Sequence, residues 1–299
     1  MCRLLHYCSA CDTVSIRDLV ADRTSSFSSV DSCHSVLIMA AHDLDLFRFY
    51  ANRMRNLRPN FALQQPLPPT FRMAGDIRHE IYYAPFDYLN PEAKIVLVGI
   101  APGRAQALIA LSTARERLLA GEDEASAAFV AKYAASWSGP IRHHLVRMLD
   151  FLGVAGRLGI SSTAEFWTTR TDLVHMTAAI RYPVFTAGKN YNGSGLERSP
   201  LLLDQVDTYF AAECAHLTKA MFIPFGAAAQ VACERMVAQG HLRDEQILAG
   251  LPHPSGANAE RVAYFLGQKP RDALSAQTRA APIDAAREAA LAVIAGWSP

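Results

Sequence analysis

The sequence predicts an α/β fold: three layers, α/β/α, around a central, mainly parallel sheet of four strands. Short apolar runs at residues 93–98, 172–177 and 220–225 are each followed by a polar or glycine-bearing junction and then by helical periodicity. The first run, Ala93-Lys94-Ile95-Val96-Leu97-Val98, is apolar on both faces, as a strand covered by helices on both sides must be. The chain has 299 residues, 51% of them hydrophobic and 19% charged, enough to bury one large core.

Taken in order, residues 1–36 are polar and serine-rich without sustained periodicity, so they are read as a loose N-terminal extension. Residues 37–299 are read as a single domain. Residues 37–57 interleave apolar and basic residues at helical spacing, and Pro66, Pro68 and Pro69 end the pattern. After the first strand, helices are expected from the Gly103 turn to Leu118, over residues 122–133 and over residues 140–152. The last of these carries Arg142, His143, His144 and Arg147. A second strand at 172–177 leads into a polar loop over residues 186–195, and a third at 220–225 leads through Gly226 into an alanine-rich helix. A short fourth strand is expected before Pro252, and a helix from about Ala259.

The net charge of +1 provides no global field for a polyanion, so a nucleic-acid surface would have to be a local basic patch. No run approaches the roughly 20 apolar residues of a membrane span, and the N-terminus lacks a secretory pattern. A cytoplasmic location without membrane contact is expected. Of the six cysteines, Cys8 and Cys11 have metal-ligand spacing, with Cys2, His6, Cys33 and His34 nearby. Ordinary reduced thiols are the alternative, and the expectation is no metal and no cofactor.

Ligands of open α/β sheets bind beyond the carboxyl ends of the strands, so the junctions at Gly99, Thr177 and His253 are expected to converge on one pocket. The first reads Gly99-Ile100-Ala101-Pro102-Gly103; the last reads His253-Pro254-Ser255-Gly256, within LPHPSGANAERVAYFLG. These two segments, in this order and setting, resemble the two active-site motifs of the uracil-DNA glycosylase superfamily. The likeness spans about residues 80–270 and is specific only in the motifs.

That resemblance implies a DNA glycosylase, an enzyme that flips a base out of DNA and hydrolyses its N-glycosidic bond. It implies that Gly99, Ile100, Ala101, Pro102 and Gly103 wrap the base, and that His253 stabilises the charge growing on the departing base. Ser255, Gly256, Ala257 and Asn258 would meet DNA, with Arg104 and Arg261 as further contacts. A serine after proline also caps helices, and an exposed arginine is often only solvated.

Two departures matter. Relatives that excise uracil usually carry Asn, Asp or Glu where this chain has Ala101, and often an Asn where it has Ala178 after Thr177. The base pocket, to which Asn190 and Tyr191 of the polar loop are also assigned, therefore has room for a larger base. This pattern resembles the branch of the superfamily that removes modified bases such as glucosylated hydroxymethylcytosine from phage DNA. Asp87 and Asp172 are the candidates for activating water, and Tyr83, Phe86 and Tyr88 for stacking on the base. Small residues at 256–258 make a poor wedge for the gap in the duplex, so a separate loop is expected to assist. The alternatives are a non-catalytic module or inhibitor that binds modified DNA, uracil excision in repair, and a nucleoside-binding protein. The expected partner is DNA, duplex or single-stranded, with no obligate protein partner.

Overall fold

Ile95, Val96, Leu97 and Val98 are wholly buried, and they alternate between two separate apolar clusters, Val96 and Val98 in one, Ile95 and Leu97 in the other. Period-two alternation with both faces buried is what an unbroken apolar run requires of a strand at the centre of three layers. The computed structural model describes residues 44–299. The expectations for the N-terminal extension and for Cys2, His6, Cys8, Cys11, Cys33 and His34 lie outside the described residues.

Helix α1 (Asp45–Arg55) buries Phe47, Tyr50, Ala51 and Met54 on one face. Strands β1 (Arg72–Gly75) and β2 (His79–Tyr82) form a hairpin, and β3 (Ile95–Gly99) is the central strand. Helix α2 (Arg104–Leu119) follows at once. Helix α3 (Glu124–Ala135) starts where the Asp123 carboxylate accepts from the backbone N–H groups of Ala125 and Ser126. Gly139, with φ of 81°, and Pro140 at the first helical position set the start of α4 (Pro140–Phe151), and a short α5 (Val154–Arg157) follows.

Strand β4 (Val174–Ala178) precedes a tight hairpin of β5 (Val184–Thr186) and β6 (Lys189–Asn190). Helix α6 (Pro200–Gln205) passes through a π-helical turn at Val206–Phe210 into α7 (Ala211–His216). Strand β7 (Met221–Pro224), α8 (Ala227–Ala238), α9 (Ala259–Phe265) and α10 (Ala280–Gly296) complete the chain.

Among the described residues the parallel sheet has three strands, in the order β4-β3-β7, with Val98 opposite both Thr177 and Pro224 and Gly99 opposite Ala178. One cluster packs α2, α3, α7 and α8 on one face; the other packs α4, α9 and α10 on the opposite face. The α/β architecture of the superfamily is thus present, but the expected four-stranded parallel sheet is corrected to three. At the fourth position only one parallel bridge forms, Phe222 with Ile247, followed by a bond from the Leu248 N–H to the Phe222 carbonyl. Gly250, with φ of 87°, then swings the chain away, and Pro252 has no N–H to continue a ladder.

A second sheet, antiparallel in the order β1-β2-β5-β6, is an addition to the expected architecture. Its strands are two to four residues long, too short to show an alternating pattern. The supposed loop at 186–195 is half hairpin: Ala187 and Gly188, with φ of 49° and 73°, reverse the chain so that Asn190 pairs with Phe185. Among the described residues no helix is long and apolar enough to cross a membrane.

Candidate functional site

The carboxyl ends of β3, β4 and β7 open onto one cavity of about 480 Å³, where the topology of an open α/β sheet favours a ligand. Its wall includes Gly99, Ile100, Ala101, Pro102 and Gly103, then Thr177 and Ala178, then Asn190 and Tyr191, and finally His253, Ser255 and Asn258. Residues more than 150 positions apart in the chain thus share one wall. Phe86, Trp137, Phe225 and Arg181 also line it.

His253 is held from three sides. Its Nδ1 accepts a hydrogen bond from the Ser255 backbone N–H at 3.2 Å, so in the neutral ring the proton sits on Nε2. Burial lowers the His253 pKa below its ordinary value, which keeps the ring neutral at pH 7. Gly226 comes next: φ of 90° and ψ of 158° place it in a region open essentially to glycine. A β-carbon there would meet the His253 ring at 3.6 Å. Trp137 is the third neighbour, its ring centroid 6.3 Å from that of His253 and 5.2 Å from that of Phe225. Trp137 has a φ of 54°, an uncommon conformation for a bulky side chain and a sign of strain at the cavity wall.

The glycine turn is fixed by its neighbours. The Gly103 N–H donates to Gln106 Oε1 at 3.0 Å, and the Arg104 N–H donates to Asn190 Oδ1 at 2.9 Å. A β-carbon at Gly103 would come within 3.1 Å of the Asn190 amide nitrogen, so glycine lets the turn and β6 approach without displacing that side chain. The Tyr191 hydroxyl is buried with no hydrogen-bond partner among the described residues. Burial pushes its pKa up to about 12, so it remains a protonated donor.

Behind β4 lies a buried polar network. Glu213, 1% exposed, accepts from Arg181 Nε at 2.8 Å and from the Thr177 hydroxyl. His175 Nε2 lies 3.4 Å from the same carboxylate. Burial alone would raise the Glu213 pKa, but Arg181 and then Lys132 outweigh it and hold the carboxyl well below its usual range. The carboxylate is therefore ionised and accepts the Thr177 hydroxyl hydrogen bond, leaving the Thr177 oxygen with lone pairs for the cavity. Burial pushes His175 down to about 4 and Lys132 down to about 8.

Not every expected residue reaches the cavity. Asp87 is buried and is not among the lining residues; its two carboxylate oxygens accept from the Tyr83 and Tyr182 hydroxyls at 2.8 and 2.7 Å. Burial raises its pKa. Asp172 precedes β4, so it lies at the amino end of the sheet, where it pairs with Arg170 at 3.1 Å in the exposed loop. Neither carboxylate is placed to activate a water in the cavity.

The Arg104 guanidinium is bound to the carbonyls of Ala62, Gln64 and Pro66, which corrects the expectation of a free phosphate contact. Arg261 bonds Asn258 Oδ1 at 3.0 Å, and Gly256 and Ala257 are exposed beside it. Of the aromatic candidates only Phe86 lines the cavity; Tyr83 stacks on Tyr50 at 4.1 Å in the core, and Tyr88 packs on Phe129. Sequence reasoning missed Trp137, Arg181 and Glu213. Arg181 carried a faint signal, a charge within the apolar run after Thr177, whereas Glu213 in an alanine-rich helix carried none.

A model of the uracil DNA glycosylase superfamily matches residues 86–279, more than half of the chain. The chain is also 37% identical over 245 residues to a Bacillus subtilis (strain 168) protein named "Uncharacterized protein YoxB", the match covering 80% of this chain and 95% of that relative. No solved structure matches significantly.

Proposed function

Because this chain belongs to the uracil-DNA glycosylase superfamily, whose members are DNA glycosylases that bind DNA, we propose that it excises a modified pyrimidine flipped out of DNA. The base proposed is larger than uracil and bears a hydroxyl-rich substituent of the kind found in glucosylated hydroxymethylcytosine. The product is an abasic site.

The observation that carries this reading is the shared cavity of His253 and the 99–103 turn, in which Ala101 and Ala178 present methyl groups. Ala101 leaves space where a water-orienting side chain would stand and Ala178 where a uracil reader would, and the Asn190, Asn192 and Tyr191 side chains supply polar groups suited to hydroxyls. His253 acts as a neutral imidazole that donates from Nε2 to the base oxygen as the glycosidic bond breaks. A donor aimed at developing charge in a water-poor site lowers a barrier by about 3 to 4 kcal/mol.

Ala101 has no group to orient water, and the Thr177 oxygen, its proton turned toward Glu213, takes that role. The water attacks the sugar carbon as the base leaves, and its proton passes to solvent or to the departing base. Phe86 offers the stacking face. Among the described residues no lysine lines the cavity, and the proposed reaction ends at hydrolysis without a Schiff base.

The test is to incubate the protein with DNA containing uracil, hydroxymethylcytosine or glucosylated hydroxymethylcytosine, then measure released base and alkali-labile breaks. Release from the glucosylated DNA is expected. Release from uracil DNA alone would return the substrate to uracil, and binding without release from any DNA would leave a non-catalytic module.

A further inference from the structure

Within residues 57–67 the apolar side chains Leu57, Phe61 and Leu67 are buried, 7%, 5% and 1% exposed, while Leu63 is 78% exposed. A single exposed leucine ordinarily needs no explanation. Leu63 differs in how it is held. The carbonyls on either side of it, those of Ala62 and Gln64, accept from the Arg104 Nη2, and Arg104 Nε adds the Pro66 carbonyl at 3.0 Å. One guanidinium thus fixes this loop through charge-assisted bonds.

Arg104 is also the residue that follows the glycine turn, and its backbone N–H bonds Asn190 of the cavity wall at 2.9 Å. The loop bearing Leu63 is therefore anchored one residue from the base pocket. At the opposite motif, the exposed segment Gly256-Ala257 has no large apolar side chain, so it cannot fill the space that a flipped nucleotide leaves in a duplex. Proteins that open a base stack do so with apolar wedges such as leucine.

Resting on the proposed glycosylase function, we propose that Leu63 is the wedge, inserted into the base stack of duplex DNA at the position vacated by the flipped nucleotide. Arg104 acts as its positioning residue. The loop lies outside residues 86–279 matched by the superfamily model, so the wedge stands apart from the two motifs. Burial of the leucine between base pairs offsets part of the unstacking cost, and a single strand offers it no such gap.

The experiment measures binding of the full chain to three fluorescently labelled DNAs of one sequence: a duplex with a single tetrahydrofuran abasic-site analogue, the intact duplex and the single strand. Leu63→Ala is expected to weaken binding to the abasic duplex about tenfold or more while leaving the other two unchanged, and Leu63→Met to restore it. Ile77, 99% exposed at the β1–β2 hairpin tip, provides the control, and Ile77→Ala is expected to bind all three DNAs as wild type. Equal affinity of Leu63→Ala and wild type for the abasic duplex overturns the proposal, as does a loss confined to Ile77→Ala. Absence of base release by wild type from every DNA would remove the glycosylase reading alone, since the binding measurement does not depend on catalysis.

Discussion

His144 Nδ1 donates to the carbonyl of Pro254 at 2.9 Å, and this bond ties the loop carrying His253 to helix α4. A carbonyl can only accept, so His144 must carry its proton on Nδ1. Asparagine presents an amide N–H near the same place. His144→Asn is therefore expected to retain most base release, and His144→Leu to lower kcat about tenfold with little change in KM, because the imidazole loses its aim.

His253→Ala should reduce base release by about 10²- to 10³-fold, the worth of one donor to developing negative charge, with an unchanged melting temperature. Burial lowers the His253 pKa, so the neutral donor still predominates at pH 6.5. The midpoint of the acid limb of the rate profile is therefore expected below pH 6.5. A wild-type acid limb with its midpoint above pH 6.5 would contradict this assignment.

Gly226→Ala tests the floor beneath the imidazole. The backbone there has φ of 90°, so any side chain costs about 1 to 3 kcal/mol. Its β-carbon would touch the His253 ring at 3.6 Å, so the backbone strain is transmitted to the imidazole. A lower melting temperature together with a loss in kcat is expected; Gly156→Ala, where a β-carbon meets nothing within 4 Å, should show neither effect.

Arg181→Met would remove the stronger of the two cations that hold Glu213 ionised in the core, Arg181 Nη2 lying 2.7 Å from its carboxylate. Loss of one partner of a buried pair costs about 3 to 5 kcal/mol. Denaturant titration should show that loss, and Arg181→Met combined with Glu213→Leu should recover part of it.

Acid stability follows from His175, whose Nδ1 accepts from the Asn90 N–H at 3.3 Å. Its folded pKa of about 4 lies below the ordinary 6.5, so between these values the unfolded chain binds a proton that the folded chain refuses. Stability therefore rises with pH across this window and is lost as pH falls through it. The loss approaches on the order of 3 kcal/mol near pH 4. His175→Gln, which does not titrate, should show a flatter dependence of unfolding free energy between pH 6.5 and 4.

The central sheet and its helices were legible because their residues repeat with periods the backbone imposes. Ile95 to Val98 announce a strand buried on both faces, and Gly103 followed by apolar spacing announces α2. The antiparallel sheet was not legible, since strands as short as Lys189–Asn190 have no period to detect. Asp172 illustrates a different failure. Its place before a parallel strand puts it at the amino end, so nearness in sequence to Thr177 did not mean nearness to the cavity.

The sequence by itself determined the α/β class, the membership carried by the 99–103 and 253–256 segments, and two of the strand ends at which a ligand can sit, those after Val98 and Thr177. Local periodicity and backbone-restricting glycines and prolines encode those features within a few residues. Only the tertiary structure decided that Glu213 stands behind Thr177, that Trp137 lies under His253 and that Arg104 grips residues 62–66. Those relationships depend on how distant segments pack, and burial of a charge or the aim of a hydrogen bond exists only once that packing has removed water from between them.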